Sequence, residues 1–190
     1  MHRSVLSAIA VVAVLTAAHP VYAQSGGGVD PKVALPILMK VLTYDRNFGS
    51  RGGGEFVVLI ASEEGKTPSV DLVEIAKTMK LVSVQDRPLR FVHASFKDQP
   101  SLDAAIQAAK AKAVLAAPGS SAAAVKDISE VAQDNQIYTM SMEVAPVEQA
   151  LAIGVADKDG RPQIVINLNA SKAIGAVFDS SVLKLARVIQ

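Results

Sequence analysis

The chain has 190 residues with 19 basic and 18 acidic side chains, no cysteine and no tryptophan. The missing cysteine excludes disulfides, thiol catalysis and thiolate metal sites. A near-neutral balance excludes the basic footprint of a nucleic-acid binder and a general pull toward anionic lipid, and 4% aromatics leave no carbohydrate-stacking platform.

The chain opens with a basic residue, Arg3, then the uncharged apolar run Val5 to Ala18, then Val21-Tyr22-Ala23 with small side chains where a signal peptidase reads. This order predicts a secretory signal peptide over residues 1–23. The apolar run is shorter than the roughly 18 to 20 residues a bilayer span needs, and no cysteine follows it for lipid attachment. Cleavage after Ala23 removes Arg3 and leaves as many acids as bases. It also removes His2 and His19, so His93 is the one histidine left. Ser25-Gly26-Gly27-Gly28 predicts a flexible tether over 24–29. Residues 30–190 have the length of one domain, able to bury on the order of 70% of the unfolded surface without covalent staples.

A first helix is expected after Asp30 as cap and Pro31 at its first position. Ala34, Ile37, Leu38, Val41 and Leu42 form its inward stripe. Pro36 kinks it or marks its start, and Arg51-Gly52-Gly53-Gly54 breaks it. Phe56 to Ala61 is an unbroken apolar run of strand length, as in a strand buried on both faces. Thr67-Pro68 opens a second helix with Leu72, Ile75, Ala76 and Met79 inward. Leu89 to Phe96 alternates and reads as a strand. Ser101 caps a third helix carrying Leu102, Ala105, Ile106 and Ala109. Ala113 to Ala117 is a buried strand, Ala122 to Asn135 a helix, and Ile137 to Met142 a strand. Asp-Gly at 159–160 between Leu151–Ala156 and Gln163–Leu168 predicts an antiparallel hairpin. A final helix is expected over Ser180 to Ile189. Alternating helices and strands imply parallel strands with right-handed crossovers. The fold class is therefore α/β, a three-layer sandwich whose mostly parallel sheet ends in an antiparallel hairpin.

Four motifs invite a chemical reading. Gly65-Lys66-Thr67 looks like the end of a phosphate loop, but the glycine needed five residues earlier is Ile60. It reads as a polar loop, as does Arg51-Gly52-Gly53-Gly54 on the helix-to-strand side. Asn169-Ala170-Ser171 matches the glycosylation pattern, which matters only in a eukaryotic secretory pathway. Pro118-Gly119-Ser120-Ser121 leaves a buried strand and enters a helix, where free amides and hydroxyls can hold an anion; the plainer reading is an N-cap. Glu63, Glu64 and Glu143 fall just past strand ends. His93 reads as a surface or half-buried polar residue of a strand.

The C-terminal run resembles the YfiR-like family of exported bacterial proteins. The likeness lies in the hairpin ending Ile166-Asn167-Leu168, the small-residue segment around Gly175, and Leu183-Lys184-Leu185-Ala186-Arg187-Val188-Ile189. Val41 to Asn47 and Arg87-Pro88-Leu89 look similar too. The resemblance implies a periplasmic α/β domain without catalysis or cofactor. It also implies an inner-membrane signalling protein, a diguanylate cyclase or sensor kinase, as the partner it restrains in cyclic-di-GMP control of biofilm. Disulfide-based redox control is not carried over, since no cysteine is present. No membrane insertion after signal cleavage is expected, and a homodimer stays open. The candidate contact residues are Ser62, Ser120, Ser121 and Glu143 at the strand ends, and Tyr44 with Arg46 after the first helix. The rival functions are a solute-binding protein, for which the chain is short, and a serine hydrolase pairing Ser120 or Ser121 with His93.

Overall fold

The structure is a computed structural model and describes residues 29–66 and 71–190. The expected signal peptide at 1–23, the tether up to residue 28, and Thr67-Pro68 lie outside the described residues. Within them the chain runs α1 (Pro31–Leu42), β1 (Phe56–Glu63), α2 (Leu72–Thr78), β2 (Ser83–Val84), β3 (Arg87–Phe96), α3 (Gln99–Ala109) and β4 (Ala113–Ala116). It continues through α4 (Ala122–Asn135), β5 (Tyr138–Ser141), α5 (Val144–Gln149), β6 (Ile153–Lys158), β7 (Arg161–Asn167), α6 (Leu168–Ala173), α7 (Ser180–Leu183) and β8 (Arg187–Ile189).

The strands form one sheet in the order β2-β3-β1-β4-β5-β6-β7-β8. β3, β1, β4, β5 and β6 are mutually parallel, and β7 returns antiparallel to β6. The hairpin therefore forms as its sequence requires. Asp159 and Gly160 both take positive φ, 55° and 75°, the pair of conformations a tight two-residue turn needs.

Alternation along β1 sends Phe56, Val58 and Ile60 into one core and Leu59 and Ala61 into another. The first core packs under α1, α2 and the segment Ile174–Val182. The second packs under α3 and α4. Val147 of α5 meets Ala156 and Val165 in a smaller cluster. The fold is thus mixed α/β with helices on both faces of a mostly parallel sheet.

Local chemistry sets most boundaries. The Asp30 carboxylate accepts from Lys32 N–H, and Pro31 sits in the first turn, so α1 starts where expected. Pro36 is tolerated inside it, and Ala34, Leu35, Leu38, Met39, Val41 and Leu42 are buried. The helix stops at Leu42, well before the glycine run, because Thr43 to Arg51 turn around a buried carboxylate described below. α3 is capped by Asp98, not Ser101. Ser101 is the third residue of a reciprocal capping box, its N–H donating to Asp98 and its hydroxyl accepting from Asp98 N–H. Asn167 caps α6, with its Oδ1 accepting from Ala170 N–H and its amide donating to Val147 O.

The expected final helix is a correction. It lasts only Ser180–Leu183, capped by Asp179, and the chain then extends as β8, parallel to β7. Leu185, which lies within the expected helix, is 72% exposed. The branched pair Val188-Ile189 completes the sheet edge instead, which is where β-branched residues fit best. β2 and α5 carry too little pattern to be read from sequence.

Gly154 marks the tightest helix–sheet contact. A Cβ there would lie 2.4 Å from Val147 Cγ2 and 3.3 Å from Ser141 O. Gly154→Ala is expected to destabilise the protein by about 1–3 kcal/mol through overpacking, read as a lowered midpoint in urea unfolding. Val147→Ala in the same background should recover part of that loss.

Candidate functional site

β1 lies between β3 and β4, with α2 on one face and α3 on the other. The carboxyl ends of β1 and β4 therefore bound the crevice where doubly wound sheets take ligands. The loop Ala117–Ser121 enters it and leads into α4. Ser121 caps the helix, its Oγ accepting from Ala124 N–H.

The chain fills this crevice with its own acids. Glu63 accepts from Ser121 N–H at 2.9 Å, from Ser121 Oγ at 2.7 Å and from Lys66 Nζ at 2.6 Å. Glu143 accepts from Gly119 N–H at 3.1 Å. Ser120 Oγ donates to Ala117 O at 2.6 Å. Burial works to raise the pKa of Glu63, but the donors on Lys66 and Ser121 outweigh it and hold it below the ordinary value. The carboxylate thus stays charged, and the amides of Gly119, Ser120, Ser121 and Ala124 are already bonded within the chain. Lys66, the lysine of the apparent phosphate loop, is the ion-pair partner of Glu63.

His93 does not meet Ser120 or Ser121. Its Nε2 lies 2.8 Å from Ser62 Oγ, and Ser95 Oγ is 3.3 Å from the same hydroxyl. The parallel register of β1 and β3, with Ile60 opposite His93 and Ser62 opposite Ser95, brings them together on one sheet face. Ser62 is buried and His93 exposed, so the ring covers the hydroxyl. The hydrolase pairing is corrected: Ser120 is bound to a carbonyl and Ser121 to Glu63. Glu64 is exposed, with its N–H bonded to Phe96 O.

Tyr44 and Arg46 lie at the other end of the sheet, so the candidate residues form two separate sets. Between them sits Asp45, buried at 4% exposure. Its Oδ1 accepts from Asn47 N–H at 3.0 Å and Val177 N–H at 2.7 Å, and its Oδ2 from Tyr138 Oη and Arg51 Nε. Arg51 also donates to Gln136 O and Ile174 O, and its guanidinium lies 4.2 Å from the Tyr138 ring centre. Burial, together with the hydrogen bond to Asp45, pushes the Tyr138 phenol far above its usual range, so it remains a donor. Around this ion pair the main chain of Tyr44 and Arg46 binds the C-terminal segment: Arg46 N–H to Val177 O and Asp179 N–H to Tyr44 O. Tyr44 is half-buried under Lys40, 5.6 Å from its ring centre, and exposed Arg46 pairs with Asp179 at 3.0 Å.

A family model described as YfiR/HmsC-like matches residues 56–187. The chain belongs to the YfiR/HmsC-like family. For this family member the match spans β1 to the first residue of β8, whereas Tyr44, Asp45 and Arg46 precede it. No curated protein matches the chain in sequence. Three solved structures share the fold at low identity. A conserved domain protein from Vibrio cholerae aligns with TM-score 0.53 and 13% identity, covering 82% of this chain and 58% of that one. A ligand-free, open substrate binding protein with adhesive properties from Clostridium difficile aligns with TM-score 0.54 and 14% identity, covering 71% and 54%. An ABC domain in complex with L-Trp from Streptococcus pneumonia aligns with TM-score 0.55 and 11% identity, covering 84% and 62%. The YfiR/HmsC-like chain therefore spans a little over half the length of each. Among its described residues no helix is long and apolar enough to cross a membrane, and no group of three or more histidine or acidic side chains is placed to hold a metal.

The residues that organise the amino end, Asp45 and Arg51, were not singled out by pattern. Arg51 reads as part of a glycine loop, and Asp45 as the polar end of a helix. The one available signal is a carboxylate three residues past the apolar stripe that ends at Leu42. Asp45→Ala leaves Arg51, itself only 11% exposed, without its charge partner and should cost about 3–5 kcal/mol in chemical denaturation. Arg46→Ala removes only an exposed pair and should cost less than about 1 kcal/mol.

Asp179 supplies a pH test of the same junction. Its bond from Ser181 N–H, then that from Arg46, lowers its pKa from 3.8 to about 2. A folded-state pKa below the unfolded one gives stabilisation that is complete above the unfolded value and lost as pH falls through about 2. Carboxyl NMR titration should find Asp179 ionised at pH values where free aspartate is half protonated, and Arg46→Ala should move it back up.

Proposed function

We propose that the chain is a non-catalytic periplasmic binding protein that restrains a membrane-bound signalling protein of the diguanylate cyclase type, as family membership suggests. The observation that carries the reading against a solute receptor is the crevice at β1 and β4. Its amides are bonded to Glu63 and Glu143, so a solute would have to displace two of the chain's own carboxylates. The similar substrate binding protein is also nearly twice as long as the part this chain covers. Against a hydrolase stands the placement of His93, which meets a buried serine rather than either serine of the helix-entry loop.

Contact is then the means of action, and the amino end offers the better surface. Arg46 is exposed, Val177 beside it is 47% exposed, and Tyr44 presents a half-buried ring. An arginine, an aromatic and an apolar side chain held by main-chain bonds make a pre-organised contact, the type that carries most interface energy. Ser62, Ser120, Ser121 and Glu143 belong to closed internal networks and are the second choice.

The experiment is affinity capture of the exported protein from membranes. An integral-membrane diguanylate cyclase or sensor kinase should be recovered, and deletion of the gene should raise cyclic-di-GMP. The double variant Arg46→Ala with Val177→Asp should reduce capture at least tenfold with a near-normal melting temperature, whereas Ser120→Ala should leave it unchanged. Recovery of no such protein, with cyclic-di-GMP unchanged on deletion, removes the reading.

A further inference from the structure

The cavity at the amino ends of β4 and β5 takes no part in the networks at the carboxyl end. It measures about 390 Å³, within the range of small-ligand sites, and Asn47, Ser50, Arg51, Lys112, Gln136 and Gly175 are among its walls. No aspartate or glutamate lines it. Arg51 is satisfied there: its charge is met by Asp45 and its terminal nitrogens by Gln136 O and Ile174 O.

Lys112 is not satisfied. It is half-buried, immediately before β4, with its main chain fixed by Val57 O and Tyr138 N–H. Its ammonium forms no ion pair and no hydrogen bond among the described residues, and it lies 3.3 Å from where a Cβ on Gly52 would be. An ammonium brings three donors, and the Asn47 amide, which spends one N–H on Gly175 O, keeps another. The end of α4 also borders the cavity, and helix C-termini repel anions. Here those carbonyls are taken: Ala132 O by Ile137 N–H, Gln133 O by Gln136 N–H, and Gln136 O by the Arg51 guanidinium. A partly dehydrated cation without a counter-charge is stabilised by whatever anion reaches it.

We propose that this pocket binds a small oxyanion, a carboxylate or phosphate group, held by the Lys112 ammonium in the acid-free cavity beside Arg51 and Asn47. Asn47 joins the pocket to Tyr44 and Arg46, since its N–H is bound by Asp45. If the partner surface proposed above is correct, a ligand here would contact the same turn as the partner. The site itself stands independently of that reading.

The test is an amide NMR titration of the purified exported protein at low ionic strength, with succinate in one arm and inorganic phosphate in the other. Saturable shifts at Asn47, Lys112 and Gly175 are expected in at least one arm, and the responding arm identifies the anion class. Lys112→Gln should weaken binding at least tenfold, about 1.4 kcal/mol, with an unchanged fold by thermal melting. Lys126→Gln, on the exposed face of α4, should leave it unaltered. Absence of saturable binding in both arms overturns the proposal, as does Lys112→Gln binding like wild type or shifts spread evenly over exposed lysines.

Discussion

Asp45 has no access to water that would solvate its charge, so the protein must supply every donor. It does so from four directions: the turn it sits in, the C-terminal segment through Val177, β5 through Tyr138, and the β1 approach through Arg51. Tyr138 and Val177 lie 93 and 132 positions from Asp45, and no disulfide holds them there. A buried ion pair adds little net stability, because desolvation consumes most of the attraction. What it does impose is a single arrangement, since any other leaves a bare charge inside. The stacked rings of Phe48 and Phe56, with centroids 5.4 Å apart and Tyr138 close by, fill the space around it.

That constraint gives the molecule two unlike ends. At the carboxyl end the chain closes its own ligand crevice, because Glu63 and Glu143 lie within reach of the amides before α4. A helix N-terminus satisfied by an internal carboxylate competes poorly for an external one: the internal group is tethered and has lost its mobility already. At the amino end the Asp45 network fixes the turn that carries half-buried Tyr44 and exposed Arg46, and the Lys112 ammonium has no ion pair among the described residues. The end where α/β sheets usually take ligands is thus bonded to the chain's own carboxylates, and Arg46 and Val177 stay exposed at the opposite end.

The sheet edge has a similar logic. β8 is short and ends in branched residues, with Arg187 paired to Glu148 of α5 across the edge. It continues β7 in parallel and extends the buried register by Asn167 opposite Ile189. A short edge strand next to charged side chains is a modest template for unwanted pairing. Leu185 and Val188 remain exposed there, the largest departure from an otherwise well-patterned surface.

The sequence by itself determined the elements whose signals are local. The Asp30–Pro31 start of α1, the continuous apolar run of β1, the Asp159-Gly160 hairpin and the Ser121 start of α4 depend on capping, turn chemistry and periodicity within a few residues. Their physics does not wait for the rest of the chain. The family likeness at Ile166 to Ile189 was legible too, although its last three residues, Arg187 to Ile189, form a strand where the pattern suggested a helix. Only tertiary structure decided that end: Val188 and Ile189 close the sheet beside β7, an arrangement that leaves Leu185 in water. It likewise decided the candidate site. That Ser121 faces Glu63, that His93 covers Ser62, and that Asp45 is answered by Arg51, Tyr138 and Val177 depend on contacts between residues up to 132 positions apart. Side-chain chemistry names the groups that can ionise or donate; which of them meet is set by strand order and register, and these become fixed only when the whole sheet has formed.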